Sequence, residues 1–252
     1  MQKFHPNPRE RIIFALDNER FLANNHARLK PLLPHIGMVK LGYDIIYAEC
    51  EDGSSQLFKT VDFLHNHDTP ILIDAKLHDK PKTIEKAVRH IATLGVDGFT
   101  IHASTGDESL RVAKACAYGM TVCGVTLLTS IGKDECEDMY TGVGPEAQVA
   151  YFAKKLINCG ITTIICSAFD NLAALRKIDK TKQLTILTPG IRLERRNDDQ
   201  ARWAHPKAAI RAGADKLIVG SEIHTPAPEF CYIDAAKNIA SEIEKGLKIR
   251  GM

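Results

Sequence analysis

The chain is predicted to fold as an α/β protein, a single (β/α)8 TIM barrel over residues 1–252, on three observations. Eight short, near-continuous apolar runs recur along its whole length. Stretches with helical spacing of apolar residues separate them, and several returns to an apolar run open on glycine. Polar and charged residues collect just past the C-terminal ends of the runs, where barrels of this class carry their reactive groups.

The predicted strands are, in order, 12–16, 37–41, 71–73, 98–101, 121–125, 162–166, 184–187 and 216–219. Each is apolar almost throughout rather than alternating, the pattern of parallel strands buried on both faces. Between them, residues 84–94 place Val88, Ile91 and Ala92 at helical offsets. Residues 145–158 put Val149, Phe152, Ala153 and Leu156 on one stripe. Gly95, Gly160 and Gly213 each stand shortly before a run, as glycines that end a helix do.

Composition narrows the function. With 252 residues, 44% of them hydrophobic, the chain can bury one large core. A net charge of +2 with 25% charged residues argues against a nucleic-acid binder or a membrane-surface protein. No apolar run is long enough to span a bilayer, and the polar N-terminal residues lack a signal-peptide core. The seven cysteines are dispersed without a CxxC pair, which fits a reduced, cytoplasmic protein. His65 and His67 flank Asn66 with no Cys or Glu ligand at a helical offset, so no metal is expected.

The most informative segment is Asp74 to Thr83, Asp-Ala-Lys-Leu-His-Asp-Lys-Pro-Lys-Thr. It follows an apolar run, and period two puts Asp74 and Lys76 on one face, with Asp79 three residues on. Such a network keeps a lysine protonated and the carboxylates beside it ionised. The plainer reading is a surface ion pair at a strand end. Other polar residues occupy equivalent places. Asp17 ends the first run, Lys40 lies within the second, and His102 ends the fourth. Thr126, Thr129 and Ser130 follow the fifth, Gly190 and Arg192 the seventh, and Gly220 and Ser221 the eighth. Taken singly, Asp17 and Lys40 read as ordinary strand-end charges, and Thr129 and Ser130 as loop-capping hydroxyls. His102 reads as a hydrogen-bonded neighbour and Trp203 as a packing residue. Together they make the charged mouth of an enzyme acting on small phosphorylated molecules, with the phosphate at the loops after strands seven and eight.

These residues resemble the orotidine 5′-monophosphate decarboxylase family along nearly the whole chain. The D-x-K-x-x-D motif is present as Asp74, Lys76 and Asp79. Leu128-Thr129-Ser130, Ile165-Cys166-Ser167-Ala168, Thr188-Pro189-Gly190-Ile191-Arg192, Asp199-Gln200 and Gly213-Ala214-Asp215 match further family segments. The resemblance implies cofactor-free conversion of orotidine 5′-monophosphate to uridine 5′-monophosphate and CO2 in pyrimidine biosynthesis. It implies that Lys76 delivers a proton to C6 of the pyrimidine and that Asp74 presses on the departing carboxylate. Lys40 and Asp79 would complete a Lys-Asp-Lys-Asp array. Asp79 and Thr83 would come from the neighbouring subunit of a homodimer with shared sites. Asp17 and Lys40 would hold the ribose hydroxyls, Thr129 and Ser130 would face the ring, and Arg192, Gln200 and Gly220 would hold the phosphate. Residues 194–199 would close as a lid.

The chain departs from the family at three places. Ser221 stands where the family usually has the phosphate-binding arginine, with Glu222 beside it. Lys80 and Lys82 replace Ile and Asn of the family motif. The loop from Arg192 to Gln200 is one residue shorter than in familiar bacterial members. Lys80, Arg195 and Arg196 are candidates to replace the missing cation. The alternatives are a sugar-phosphate decarboxylase or hexulose-phosphate synthase of the same superfamily, and a nucleotide-binding homologue with weakened catalysis.

Overall fold

Eight parallel strands hydrogen-bond in sequence order and the last returns to the first, closing a barrel. The computed structural model describes residues 7–18, 21–22, 26–50, 53–168, 172–178, 184–194, 203–226 and 231–251. The strands are β1 (Ile12–Leu16), β2 (Met38–Leu41), β3 (Ile71–Leu77), β4 (Gly98–His102), β5 (Thr121–Val125), β6 (Thr163–Ile165), β7 (Thr185–Thr188) and β8 (Lys216–Val219). Closure is seen at Phe14, which pairs with Val39 on one side and Val219 on the other. The helices are α1 (Tyr43–Ile46), α2 (Gln56–His65), α3 (Pro81–Ala92), α4 (Asp107–Ala115), α5 (Lys133–Met139) and α6 (Pro145–Asn158). They continue as α7 (Leu172–Ile178), α8 (Pro206–Ala212), α9 (Ser221–His224) and α10 (Tyr232–Arg250).

Alternation along the strands divides the apolar side chains between two cores. Ile13, Ala15, Leu72, Cys123, Val125, Ile165, Leu187 and Ile218 fill the barrel interior. Ile12, Phe14, Leu16, Val39 and Ile73 point outward and pack with the helices. Full burial of each Val, Leu, Ile or Phe side chain among them stabilises the fold by about 1.5–3 kcal/mol. Burial pushes the Cys123 thiol up to about 12, so it is a packing group rather than a nucleophile. Helix α3 shows the helical layer in small. It starts with proline in its first turn, buries Ile84, Val88 and Ile91, and carries Arg89 and His90 in its last turn, where a helix favours positive charge.

The Gly-x-Asp returns are built alike. Asp97 and Asp215 each precede a strand, and each carboxylate accepts a backbone N–H from the neighbouring strand, Ile71 N and Ile186 N, both at 2.8 Å. Asp215 is also paired with Arg176, whose guanidinium donates to the Gly213 carbonyl as well. Losing either carboxylate would strand a backbone donor, at about 1–3 kcal/mol. Close helix packing needs a further glycine. A Cβ at Gly246 of α10 would lie 2.9 Å from Ile210 Cβ of α8.

Most strand bounds agree with the apolar runs to within a residue. β3 does not: it runs on through Asp74 to Leu77, and its register with β4 shifts between Ile73 and Leu77. The irregularity centres on Lys76, whose φ of 44° is left-handed. A lysine avoids that region unless its surroundings impose it.

Candidate active site

The C-terminal ends of the strands open into a cavity of about 500 Å³. Asp17, Lys40, Asp74, Lys76, Thr129, Gly190, Arg192, Gly220 and Ser221 all line it, so nine of the strand-end residues singled out by sequence meet at one place. The cavity floor is apolar, formed by Ala15, Val125, Ile165 and Ile218 from the top of the interior core. A second cavity of about 340 Å³ lies at the opposite end, beside Arg11, Asp97 and Lys216. Glu10 lines it as well, so this end is charged too, but in barrels the reacting face is the C-terminal one.

Asp74 is the hub. Its Oδ2 accepts from Lys40 Nζ at 2.7 Å and from Lys76 Nζ at 2.8 Å. Its Oδ1 accepts from Thr100 Oγ1 at 2.9 Å. Burial would raise this carboxyl, but Lys40 and Lys76 outweigh it and hold it below the ordinary carboxylate range. Burial would likewise lower Lys40, yet Asp74 and Asp17 keep its ammonium above the ordinary lysine range. Asp17 Oδ1 accepts from Lys40 Nζ at 3.2 Å, giving an unbroken chain Asp17–Lys40–Asp74–Lys76. Lys40 and Asp74 are buried, whereas Lys76 and Asp17 open toward the cavity.

The bulge in β3 makes this possible. In a regular strand the Lys76 amide would be a ladder donor; here it donates to Thr100 Oγ1 at 2.8 Å. Thr100 therefore holds Lys76 by its backbone and Asp74 by its carboxylate. Tyr43 adds support. Its hydroxyl donates to the Ala75 carbonyl at 3.1 Å, and Lys76 Nζ lies 5.4 Å from its ring centroid, a cation–π distance.

The remaining predicted residues lie elsewhere. Asp79 is exposed; its Oδ1 accepts from Lys80 N at 2.6 Å, and its carbonyl accepts from Thr105 and Ser109. Thr83 is exposed on the first turn of α3. Ser130 is exposed and does not line the cavity, although its neighbour Thr129 does. Gln200, Arg195, Arg196 and Asp199, and with them most of the expected lid, fall outside the described residues. The base of that loop is stitched: Arg192 N donates to the Ala204 carbonyl at 3.0 Å and Ala204 N to the Gly190 carbonyl at 2.8 Å. His102 stands beside His78 with its pKa lowered by burial first and His78 second. It does not line the cavity.

Three contributors escaped sequence reasoning. Thr100 sits inside an apolar run and reads as a strand residue. Tyr43 is signalled only by following Gly42 at the end of β2. Gly42 itself leaves room for the Asp17 carboxylate, since a Cβ there would lie 2.3 Å from Asp17 Oδ1.

Comparison with known proteins places these features in a family. The model of the family described as "Orotidine 5'-phosphate decarboxylase / HUMPS family" matches residues 10–228. Orotidine 5'-phosphate decarboxylase of Wolbachia pipientis subsp. Culex pipiens is 34% identical over 218 residues, covering 84% of this chain and 90% of that protein. The enzyme of the same name from Desulfosudis oleivorans is 34% identical over 256 residues, 96% of each chain. The crystal structure of orotidine 5'-phosphate decarboxylase from Lactobacillus acidophilus superposes with a TM-score of 0.72 at 27% identity, over 92% of this chain and 98% of that one.

Proposed function

Because the chain belongs to the orotidine 5'-phosphate decarboxylase / HUMPS family, we propose that it decarboxylates orotidine 5′-monophosphate to uridine 5′-monophosphate, without a cofactor, in pyrimidine biosynthesis. The observation that carries the reading is the Asp17–Lys40–Asp74–Lys76 chain in a cavity that also holds Arg192. Loss of CO2 breaks the bond from C6 to the carboxylate and leaves its electron pair on C6. That pair has no conjugated π system to enter. Fixed charge must stabilise it instead, and preorganised charge in a water-poor site is the strongest means a protein has. In this reading Lys76 gives its proton to C6, and Asp74 faces the substrate carboxylate. Asp74 destabilises that carboxylate in the bound state and is relieved as CO2 leaves.

Asp17 and Lys40 bind the ribose hydroxyls, Thr129 borders the ring, and Arg192, Gln200 and the backbone at Gly220 take the phosphate. Closure of residues 194–199 over the phosphate would exclude water and commit the substrate. Asp79 and Thr83 serve the site of the other subunit in a cytoplasmic homodimer. In support, Asp79 is exposed and bonded away from its own cavity. Ser130, which the family resemblance also turns to the ring, is exposed and does not line the cavity.

The experiment is a direct assay of CO2 release from orotidine 5′-monophosphate, with chelator present, alongside calorimetry of uridine 5′-monophosphate binding. Turnover supports the reading. Tight product binding without turnover favours the second reading, a nucleotide-binding homologue, which Ser221 in the phosphate region motivates. Failure of both, with turnover of a sugar phosphate, would favour the other branch of the family.

A further inference from the structure

His224 is the last residue of α9, which opens at Gly220–Ser221, and its ring lines the cavity. Its Nε2 lies 2.6 Å from the Ala15 carbonyl oxygen. A carbonyl oxygen only accepts, so Nε2 carries the proton. The Asp17 amide, 3.5 Å from Nε2, therefore finds its acceptor in the same carbonyl, at 3.1 Å. Ala15 O thus accepts twice: once from the residue that opens the sugar end of the cavity, and once from the segment that follows the phosphate end. The ring is held on its other sides by Phe14 and Phe21, at centroid distances of 5.0 and 5.1 Å. Among the described residues its buried Nδ1 has no hydrogen-bond partner, so the neutral ring is the form that fits.

We propose that His224 is a positioning residue: by its bond to the Ala15 carbonyl it ties the segment after β8 to the turn that aims Asp17, and so sets recognition of the sugar hydroxyls of the nucleotide. The inference rests on the nucleotide reading above. Without the bond, the turn after β1 loses its second donor and Asp17 loses its aim at Lys40.

The test compares binding of uridine 5′-monophosphate with its 2′,3′-dideoxy analogue by calorimetry. Two variants separate donor from shape. His224→Phe keeps a ring against Phe14 and Phe21 without a donor, and His224→Gln keeps an N–H donor at similar reach. Wild type should prefer the ribonucleotide by roughly tenfold or more, since the analogue leaves polar groups unpaired. His224→Phe should reduce that preference to about threefold or less with analogue affinity unchanged, and His224→Gln should restore most of it. An undiminished preference in His224→Phe overturns the proposal, as does equal weakening toward both ligands. A wild type that binds neither nucleotide overturns the nucleotide reading and this proposal with it. Imidazole nitrogen NMR of the wild type needs no variant: a neutral ring protonated at Nε2 is expected, and a ring protonated at Nδ1 overturns the proposal.

Discussion

Gly42 and Asp17 are in closer contact than any side chain at position 42 would permit: a Cβ there would lie 2.3 Å from Asp17 Oδ1 and 3.5 Å from Lys40 Nζ. The backbone of Gly42, with φ −89°, is open to any residue, so the need for glycine is one of space alone. Gly42→Ala should displace the Asp17 carboxylate and weaken uridine 5′-monophosphate binding by about 1–3 kcal/mol, the worth of a charge-assisted hydrogen bond. Unaltered affinity by calorimetry would exclude Asp17 as a ribose ligand.

Lys76→Ala should lower turnover of orotidine 5′-monophosphate by on the order of 10²–10⁴-fold or more, as loss of a general acid does. Product binding should persist, because a contact made in the transition state is lost rather than uniform binding. Appreciable turnover in stopped assays of the pure variant would remove Lys76 as proton donor.

The exposed Asp79 leads to an assembly experiment. Lys76→Ala and Asp79→Ala subunits, each inactive alone, are mixed and allowed to exchange. One site of each mixed dimer then carries both lesions and the other carries none, so activity should recover to about a quarter of wild type. A mixture that stays inactive after proven exchange would mean that Asp79 acts within its own subunit or not at all.

Arg192 and Ser221 line the part of the cavity proposed to take the phosphate, and the family resemblance would place a second guanidinium at position 221. Ser221→Arg should tighten binding of uridine 5′-monophosphate by about 1–3 kcal/mol, and that of uridine by far less. Equal or weaker binding in the variant would mean that Lys80, Arg195 or Arg196 already fills the role, or that the natural ligand carries no phosphate at this place.

Asp74 also predicts a pH dependence. Its carboxyl sits below the ordinary 3.8 in the folded protein because two ammonium groups outweigh its burial. The unfolded chain then binds the proton more readily. The stabilisation is therefore present above 3.8 and is lost as pH falls through the lower, folded value. Urea midpoints measured from neutrality into acid should fall more steeply for wild type below that point than for Asp74→Asn. Parallel curves would dissociate the ion chain from acid stability.

The barrel was legible because its determinants are local. Apolar runs such as Ile12–Leu16 and positive-φ glycines such as Gly95 and Gly160 need no tertiary information to be read. The charged residues were legible as a set because strand ends converge in any closed parallel barrel. Period two, however, does not explain how Asp74 and Lys76 meet: the strand bulges between them, and Thr100 from the next strand rescues the displaced amide. Gly42, Tyr43 and His224 were hidden for the same reason. Their roles depend on neighbours 25 to 209 positions away in sequence, which only the closed fold supplies.

The left-handed backbone at Lys76 has an evolutionary corollary. A non-glycine residue there stores on the order of 1 kcal/mol or more of conformational strain. Its ammonium also crowds that of Lys40 at a single oxygen of Asp74. Under the proposed reaction, position 76 is thus a place where selection for chemistry and selection for durability pull in opposite directions. Glycine or asparagine at this position would relieve the backbone strain but would remove one of the two ammonium groups that hold buried Asp74 ionised.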